Sequence, residues 1–318
     1  MSAQVAVAVV SWNTRDLLES CLRSLEADAR EGLTEVWVVD NASDDGSADL
    51  VRDSFPWVRL VASDENLGFG RAVNLVANET ESEWVGVANA DIRLRPGALR
   101  ELLDSAVDDP DAGALAPRLI LTDGSTQHSV FPFPSPGVAL AVMLGLPRLW
   151  RGLGDRLLLA GAWDETRERR VPWAVAAFLL VRRDAWDAVD GFDEQHWMYA
   201  EDLDLGWRLA RAGFPTRYVP AAEVEHEHGA ATDKAWGDER AIRWQRNSYA
   251  WMLRRRGWLL TRSIALIELG GAAVRYAAMS PLAWARPDPW RRRRRRWRWW
   301  MRMHRTGLER ASLLRSQR

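Results

Sequence analysis

The sequence predicts an α/β protein in which a mostly parallel, doubly wound sheet lies between layers of helices, followed by a C-terminal helical extension. Four β-prone runs alternate with helical patterns over residues 5–92, and such alternation places parallel strands side by side with right-handed crossovers. Polar residues follow these runs, at the sheet edge where ligands bind in open α/β folds. After residue 233 the pattern is helical only.

The first two strand-helix repeats are marked by composition and spacing. Val5 to Val10 is a continuous β-prone run, and a helical pattern follows the polar turn Ser11 to Asn13. Glu35 to Asp40 is the second strand, and it leads into the turn-rich loop Asn41 to Gly46. Ser47 is expected to cap the short helix that follows.

The next two repeats contain the first candidate for a functional carboxylate. Val58 to Ala62 is the third strand, and Asn66 to Gly70 leads into the third helix. The fourth strand, Trp84 to Ile92, is an apolar run whose end carries Asn89 and Asp91. Parallel strands deliver such residues to the ligand-binding edge, whereas many aspartates at strand ends only cap a helix or turn. Asp91 is therefore either functional or a cap.

The second half of the strand region is less regular. Residues 124–170 show no periodicity, which is typical of a functional or mobile connection. The regular elements expected after Pro96 are a helix, short strands between residues 112 and 121, a strand over residues 173–181, a short helix from Asp184, a helix from Glu201 that ends at the C′ glycine Gly213, and a strand over residues 216–219.

Composition limits the class of protein. The 318 residues are 47% hydrophobic, which is enough for one large domain with an appendage. Cys21 is the one cysteine, so the chain has no internal disulfide and no cysteine-rich metal site, and a reducing compartment is indicated. No basic segment precedes the first apolar run, so we expect no signal peptide and a cytoplasmic protein.

The net charge of -1 hides a strongly basic C-terminus. Residues 286–318 hold 13 arginines against Asp288 and Glu309, a local charge of +11, so residues 1–285 carry -12. This Arg/Trp-rich tail fits an anionic membrane surface; a solvated disordered extension and a nucleic-acid-binding segment are the alternatives. The apolar runs 137–147 and 257–285 either touch lipid or are buried core. Neither is the uninterrupted stretch of about 20 apolar residues that a membrane span needs.

The candidates for metal chemistry are Asp91 and two histidines. The chain has neither the phosphate-loop motif G-x-x-x-x-G-K-[ST] nor a G-x-G-x-x-G after its first strand, which disfavours a P-loop nucleotidase and a nicotinamide enzyme. If the substrate is a nucleoside diphosphate, a divalent cation would bridge Asp91 and the phosphate oxygens. His226 and His228 alternate along one strand, and each is either a metal ligand or a surface residue.

A second acidic group, Glu201, Asp202 and Asp204, starts a predicted helix. These carboxylates either complement the helix dipole or supply a general base that deprotonates an acceptor hydroxyl. The dipole should lower the pKa of such a base and the neighbouring carboxylates should raise it, so the spacing leaves both interpretations open. Asp204 is also placed to pair with Arg208 one turn later.

Six motifs occur in a characteristic order: V-V-S-W-N (9–13), V-V-D-N-A-S-D-D-G-S (38–47), N-L-G-F-G-R-A-V-N (66–74), A-N-A-D-I (88–92), G-F-D-E (191–194) and M-Y-A-E-D-L-D-L-G-W-R (198–208). In this order they resemble the motifs of family 2 glycosyltransferases with the GT-A fold, over about residues 5–230. The similarity is greatest to the bacterial rhamnosyltransferase branch. It implies a GT-A type αβα sandwich.

The resemblance implies roles for the matching residues. Asp40 would contact the pyrimidine base of the donor with help from the Ser11 to Asn13 turn, and Arg71 would lie near phosphate. Asp91 would hold Mn²⁺ or Mg²⁺, His226 would complete the metal site, and Asp202 would be the base of an inverting transfer. The full set expected to bind the donor is Ser11, Asn13, Asp40, Asn66, Gly68, Arg71, Asn74, Asn89 and Asp91.

Two departures from the family pattern bear on the metal. Asn89 stands at the first position of the D-x-D-type motif, so one acidic ligand remains. The segment His226 to Thr232 replaces a version richer in glycine and serine, which leaves His228 as the alternative to His226.

The resemblance also implies substrates and organisation. The expected reaction moves a sugar, L-rhamnose from dTDP-rhamnose being the best match, to a hydroxyl of a cell-envelope glycan or a polyprenyl-diphosphate-linked acceptor. There are two alternatives: a transferase that uses another UDP- or GDP-sugar donor, and a noncatalytic nucleotide-sugar-binding protein with the same fold. We expect a catalytic domain over residues 1–232, a helical, membrane-associating region over 233–285 and a basic tail over 286–318. The protein would lie on the inner face of the plasma membrane.

Overall fold

The computed structural model describes residues 3–227, 239–285 and 287–309. The chain divides into two compact units. The first comprises Met1–Phe131 and Asp164–Ala235 and contains the strands that the structure describes. The second comprises Pro132–Trp163 and Trp236–Arg318 and is helical throughout its described part. We refer to them as the strand-containing unit and the helical unit.

The strand-containing unit begins with the predicted strand-helix repeats. Their elements are β1 (Val5–Ser11), α1 (Arg15–Arg30), β2 (Thr34–Asp40), α2 (Ser47–Ser54), β3 (Arg59–Ala62), α3 (Phe69–Asn78) and β4 (Trp84–Asn89). These four strands are parallel and lie in the order β3-β2-β1-β4, which confirms the predicted alternation. The apolar face predicted for α1 is buried, and Leu18, Leu22 and Leu25 pack into the core beneath the sheet.

The remaining elements of this unit are β5 (Ile92–Leu94), α4 (Ala98–Asp108), β6 (Ala114–Ile120), β7 (Val130–Phe131), β8 (Arg169–Val171), β9 (Trp173–Ala174), β10 (Phe178–Arg182), α8 (Arg183–Val189), α9 (Glu201–Arg211) and β11 (Thr216–His226). The main sheet continues from β4 through β10, β6 and β11 to β5. Strand β10 runs antiparallel to both of its neighbours, so the sheet is mixed beyond the parallel half. Strands β7 and β9 form a separate pair.

Local details refine the predicted strands. The apolar run 84–92 is divided, because β4 ends at Asn89 and the chain turns before β5 pairs with β11. The run 173–181 is likewise divided into β9 and β10. Strand β11 extends beyond the predicted residues 216–219, through an irregularity between Val219 and Glu223, as far as His226. These changes bring Asp91 next to the end of β11.

The start of α2 differs from the prediction. Ser47 is the first helical residue, and Gly46, with φ of 83°, occupies the position before it. The cap comes from Asp45, whose Oδ1 accepts hydrogen bonds from the Ser47 backbone N–H at 3.0 Å and from its hydroxyl at 2.5 Å. These bonds lower the pKa of Asp45. The loop after β2 is therefore closed by an Asx-type turn.

The helical unit contains α5 (Pro136–Leu144), α6 (Leu146–Leu149), α7 (Arg151–Arg156), α10 (Arg240–Arg255), α11 (Trp258–Ala285) and α12 (Pro287–Arg305). Helices α5 to α7 occupy part of the stretch that lacked periodicity. Helix α5 forms there because the Ser135 hydroxyl accepts from the Val138 backbone N–H at 3.2 Å and Pro136 stands in the first turn. Within the described part of the chain, no helix is long and apolar enough to cross a membrane.

The expected ranges 1–232, 233–285 and 286–318 remain predictions, and the two compact units divide the chain in another way. Residues 132–163 group with the C-terminal helices because α5 packs against α11. The part of the predicted basic tail that the structure describes forms α12, which pairs with α11. The predicted boundary at residue 232, and the predicted helix start at Asp233, lie outside the described residues.

Candidate active site

The carboxyl ends of the three central parallel strands bring several predicted residues to one edge. Register pairs Ser11 with Asp40, and Val10 with Asn89. Asn13 follows in a left-handed conformation, with φ of 54°, and its side-chain oxygen accepts from the Asp44 backbone N–H at 2.9 Å. The turn after β1 is thereby tied to the loop after β2.

Asp40 keeps one acceptor atom for a ligand. The residue is 3% exposed, and its Oδ2 accepts from the Ser43 backbone N–H at 3.1 Å. Its Oδ1 is buried and accepts no hydrogen bond from any residue that the structure describes. A buried carboxylate oxygen without a donor is unfavourable in an empty protein, so its position suits the N–H group of a bound heterocycle.

The segment from Asn66 to Gly68 is packed against the loop that precedes α9. Gly68 has φ of 79°, and a Cβ atom there would lie 2.4 Å from the backbone oxygen of Trp197. The Trp197 indole N–H donates to the Asn66 backbone oxygen at 3.4 Å, and the Asn66 side chain accepts from the Gly68 N–H at 2.9 Å. Only glycine fits this conformation and this close approach.

Asn74 holds the same loop, whereas Arg71 faces solvent. The Asn74 amide accepts from the Phe192 N–H at 2.9 Å and donates to the Phe192 backbone oxygen at 2.9 Å and to Glu194 at 3.2 Å. Its side chain is therefore engaged in binding protein groups. Arg71 is exposed and pairs with Glu65 at 3.3 Å. Of the two, Arg71 is the side chain that is exposed to solvent.

Asp91 and His226 meet where β5 pairs with β11. Register places His226 opposite Ile92, and the Asp91 backbone oxygen accepts from the Glu227 N–H at 2.9 Å. The Asp91 Oδ1 atom lies 3.3 Å from His226 Nε2, and both side chains are at most 10% exposed. The predicted pair is thus assembled from residues distant in sequence. His228 lies outside the described residues.

Gln127 determines which face His226 presents to Asp91. Its Oε1 lies 2.7 Å from His226 Nδ1, and a carbonyl oxygen can only accept, so Nδ1 carries the proton. In the neutral ring, Nε2 then points a lone pair at the Asp91 carboxylate. Two acceptors at this distance repel unless a proton or a metal cation lies between them, and neighbouring ligands of a divalent ion at about 2.1 Å are about 3 Å apart. The pair therefore fits a divalent cation.

Asp202 and Glu201 form a partly buried carboxyl pair at the start of α9. Asp202 accepts from the backbone N–H groups of Leu203, at 2.8 Å, and Ala176. Burial nevertheless raises the Asp202 pKa to about 6. Burial and the charge of Asp202 raise the Glu201 pKa further, to about 8. Burial therefore disfavours a negative charge on both carboxyl groups at once.

The backbone before α9 is strained. Tyr199 and Ala200 both have positive φ angles, 66° and 68°. Consecutive non-glycine residues in the left-handed region are rare and persist only where the surroundings enforce them. The loop before them packs against Gly68 through Trp197 and is hydrogen-bonded to Asn74 through Phe192 and Glu194. Those contacts position the helix start that carries Asp202.

A two-residue segment connects Asp202 to the end of β4. The Asn89 N–H donates to the Ala177 backbone oxygen at 2.9 Å, while the adjacent Ala176 N–H donates to the Asp202 carboxyl group. Two backbone hydrogen bonds, at Ala176 and Ala177, thus link Asp202 to the end of β4, two residues before Asp91. Asp202 accepts from backbone N–H groups, whereas Asp91 faces His226.

Asp204 is separate from this pair. It is fully buried and accepts from Arg208 Nε at 2.6 Å, as predicted for residues one turn apart. Its other oxygen lies 3.9 Å from His196 Nε2, and Asp193 completes a group of three possible metal ligands. Because Asp204 already has a guanidinium partner, this group is an ion-pair network that supports α9.

Gln127, Trp197 and the backbone of Ala176 contribute to the site but are not among the residues expected from the sequence. Gln127 lies in the stretch without periodicity, and nothing local distinguishes it from a surface glutamine. Ala176 acts through its main chain, so its side chain carries no signal. A signal did exist for Trp197, because it belongs to the interval between the G-F-D-E motif and the helix motif.

Replacing Glu201 by glutamine should remove a pH-dependent loss of stability. A carboxyl group whose pKa is raised by folding stabilises the folded state below its unfolded pKa of about 4.3, and that stability is lost as pH rises through the folded value of about 8. Between pH 5 and pH 8 the wild-type protein should lose about 2 kcal/mol more than Glu201→Gln. Urea unfolding at both pH values measures it. Glu79→Gln, an exposed control, should lose as much unfolding free energy between pH 5 and pH 8 as wild type does. An equal loss in Glu201→Gln would show that Glu201 does not cause the pH dependence.

A family model described as glycosyltransferase-like family 2 matches residues 3–247. The N-acetylglucosaminyl-diphospho-decaprenol L-rhamnosyltransferase of Mycobacterium tuberculosis is 36% identical over 249 residues, covering 74% of this chain and 79% of that protein. The rhamnosyltransferase WbbL of Escherichia coli is 37% identical over 87 residues, covering 27% of this chain and 32% of that protein.

Solved structures show the same fold. The mannosyltransferase PcManGT from Pyrobaculum calidifontis, in complex with GDP-Man and Mn²⁺, superposes with a TM-score of 0.57 at 19% identity, covering 98% of this chain and 87% of that one. GalNAc-T7 with UDP, GalNAc and Mn²⁺ superposes with a TM-score of 0.53 at 13% identity, covering 77% and 50% of the two chains. These similarities carry the architecture alone.

Proposed function

The chain belongs to the glycosyltransferase-like family 2 and has the GT-A fold, and on that premise we propose that it moves L-rhamnose from dTDP-rhamnose to a hydroxyl group of a polyprenyl-diphosphate-linked or cell-envelope glycan. The mycobacterial relative, whose name specifies rhamnose and a decaprenol-linked acceptor, supports the choice of substrates. The observation that carries the chemistry is the connection of the buried Asp202 carboxyl, through Ala176 and Ala177, to the strand end bearing Asn89 and Asp91.

The donor nucleotide is held at the edge of the parallel strands. Asp40 offers its buried Oδ1 to an N–H group of the pyrimidine, and the turn from Ser11 to Asn13 lies beside it. The segment containing Asn66 and Gly68 forms another wall, with Arg71 free to approach the phosphates. Asn74 supports this segment indirectly, because its amide is hydrogen-bonded to the loop at Phe192 and does not reach the donor.

Asp91 and His226 hold a divalent cation, Mn²⁺ or Mg²⁺. Their facing acceptor atoms and the Gln127 contact that sets the histidine tautomer support this role. When bound, the cation neutralises charge on the diphosphate and so improves it as a leaving group. Asn89, the neighbouring amide, replaces a second acidic ligand.

Asp202 takes the proton from the acceptor. Its raised pKa of about 6 keeps it ionised at neutral pH yet basic enough to accept a proton as the hydroxyl attacks. The bond from the acceptor oxygen to the anomeric carbon forms, the bond from that carbon to the diphosphate oxygen breaks with its electron pair, and the proton goes to Asp202. A single displacement of this kind inverts the anomeric centre.

Two alternatives have specific consequences. A transferase that uses another UDP- or GDP-sugar would keep all of the geometry above and differ only in the sugar pocket. A noncatalytic nucleotide-sugar-binding protein would bind donor without turnover. The raised pKa of both Glu201 and Asp202 favours catalysis, because a binding protein gains nothing from keeping two carboxyl groups partly buried together.

A lipid-linked acceptor would be reached at a membrane surface. We expect a cytoplasmic protein that lies on the inner face of the plasma membrane and contacts anionic lipid. Nucleic acid is the alternative partner of the basic C-terminal residues.

A donor panel tests the proposed function. Purified protein is incubated with dTDP-rhamnose, other dTDP- and UDP-sugars and GDP-mannose, with Mn²⁺ or Mg²⁺, and with a polyprenyl-diphosphate-linked N-acetylglucosamine acceptor. We expect transfer from dTDP-rhamnose, cation-dependent release of dTDP and a product of inverted configuration by NMR. Transfer from a different donor selects the first alternative. Donor binding by calorimetry without release of nucleotide under any condition selects the second.

A further inference from the structure

Apolar side chains exposed to solvent are concentrated in the helical unit. Among the large apolar residues exposed in the described part of the chain, only Val107 belongs to the strand-containing unit. The others lie on or beside helices α5, α6, α10, α11 and α12, and Leu149 and Trp150 are 84% and 73% exposed. Such a concentration on one unit marks a surface that meets another phase or another molecule.

Helix α11 exposes a face without charge. Each of its exposed residues with a described side chain is apolar or glycine, namely Trp258, Leu259, Leu266, Gly270, Ala273, Val274, Ala277 and Ala278. A helix that faces water normally turns its polar residues outward. Here the ionisable residues of α11 turn inward instead, which is the reverse of the pattern expected for a solvated surface helix.

The inward ionisable residues of α11 have identified partners inside the unit. Arg262 donates to the backbone oxygens of Gly307 and Glu309, and Arg275 donates to that of Met143. Glu268 accepts from the Trp300 indole N–H at 3.0 Å. These contacts pair α11 with α12 and with α5. Helix α11 therefore engages its ionisable groups in contacts inside the unit and exposes its apolar side chains.

Helix α5 extends the same apolar surface. It contains no ionisable residue, and its outward side chains Leu140 and Leu144 are one turn apart and exposed. Its other side packs on α11, where the backbone of Gly271 admits the Met143 side chain. Adjacent helices of one compact unit thus present leucine, valine and tryptophan to the outside.

Helix α12 adds a positive face. Arginine side chains exposed along it are Arg291, Arg292, Arg293, Arg295, Arg296, Arg298, Arg302 and Arg305. No acidic residue occurs between residues 290 and 308. Its other face, with Trp297, Trp300 and His304, packs on α10 and α11. Phosphate groups are the chemical complement of such an arginine face.

We propose that the helical unit binds in the plane of a bilayer containing anionic phospholipid, with the arginines of α12 on lipid phosphates and the exposed side chains of α5 and α11 in the boundary between headgroups and acyl chains. Amphipathic helices with basic polar faces bind in this way. Nucleic acid would match the arginines alone and leave the apolar faces unexplained. The proposal deepens the proposed function, since it rests on an acceptor carried by lipid.

Vesicle flotation of the full chain tests the arginine part. The variant Arg291→Gln/Arg295→Gln/Arg296→Gln is compared with Arg23→Gln/Arg30→Gln/Arg52→Gln, which changes the net charge equally on exposed helices of the strand-containing unit. On phosphatidylcholine vesicles containing about one third phosphatidylglycerol, the α12 variant should partition roughly 10- to 100-fold more weakly than wild type and the control should not. Equal partitioning of both variants, or equal wild-type binding to neutral vesicles, overturns the proposal.

The apolar part is tested with Leu259→Gln/Leu266→Gln/Val274→Gln, and Val107→Gln serves as the exposed control. All of these side chains are exposed, so thermal unfolding should confirm an intact fold. We expect weaker vesicle binding for the α11 variant only. If that variant floats with the vesicles as well as wild type does, the apolar face of α11 does not enter the bilayer. A duplex DNA competitor that strips wild type from vesicles would indicate a nucleic-acid surface instead.

These measurements are independent of catalysis. The Asp202→Asn variant should bind vesicles as wild type does. If vesicle binding is absent while sugar transfer to a soluble acceptor analogue persists, the membrane surface is wrong and the proposed function stands. If vesicles bind and no donor is turned over, the proposed function is wrong and the membrane surface stands.

Discussion

Asp202→Asn is expected to reduce the turnover number for sugar transfer by about 10³-fold while leaving donor affinity unchanged. Positioned general bases contribute about 10²- to 10⁴-fold, and the amide cannot accept the acceptor's proton. Asparagine retains the shape and one oxygen, so the hydrogen bond from the Leu203 N–H at 2.8 Å can persist. Single-turnover kinetics with saturating donor, together with calorimetry of donor binding, separate chemistry from affinity.

The pH dependence of the wild-type reaction gives this prediction a second readout. With the Asp202 pKa at about 6, the rate should rise through pH 6 as the carboxyl group ionises. The residual rate of Asp202→Asn should lack that rise. Near-normal turnover in the variant, or an unchanged rise at pH 6, would assign the base to another residue. Asp49→Asn, an exposed aspartate on α2, is the matched control and should behave as wild type.

Asp91→Ala is expected to weaken cation-dependent donor binding by at least about 100-fold. Loss of a residue that only supports a metal ligand already weakens metal binding about 10- to 100-fold, and Asp91 is proposed to bind the metal directly. Donor binding measured by calorimetry with Mn²⁺ and with chelator should differ strongly in wild type and hardly at all in the variant. Unchanged affinity with Mn²⁺ would remove Asp91 from the metal site.

The fold of this variant provides its internal control. Asp91 Oδ1 accepts no hydrogen bond from the described residues, and His226 Nε2 faces it as a second acceptor. Removing the carboxylate should therefore leave the metal-free protein as stable as wild type, or more stable. A large fall in melting temperature without metal would show that Asp91 stabilises the fold instead. Asp49→Ala should change neither property.

Prediction from sequence succeeded where local pattern carries the information. The alternation of apolar runs and helical spacing predicted that the first four strands are parallel, which their pairing confirms, but it did not predict their order in the sheet. It also predicted that Ser11, Asp40 and Asn89 would reach one edge, which the strand register shows. The grouping of residues 132–163 with the C-terminal helices was not predicted, since packing of α5 against α11 is not encoded in the period of either helix.

What the sequence determined by itself was the family, the parallel half of the sheet and the positions of Asp91, Asp202 and His226 near strand and helix ends. Only the tertiary structure decided that Gln127 orients His226 across 99 residues of sequence and that burial raises the pKa of Asp202. The physical reason is range: backbone periodicity and turn chemistry depend on neighbours in sequence, whereas ring tautomers, ion pairing and burial depend on groups that folding brings together.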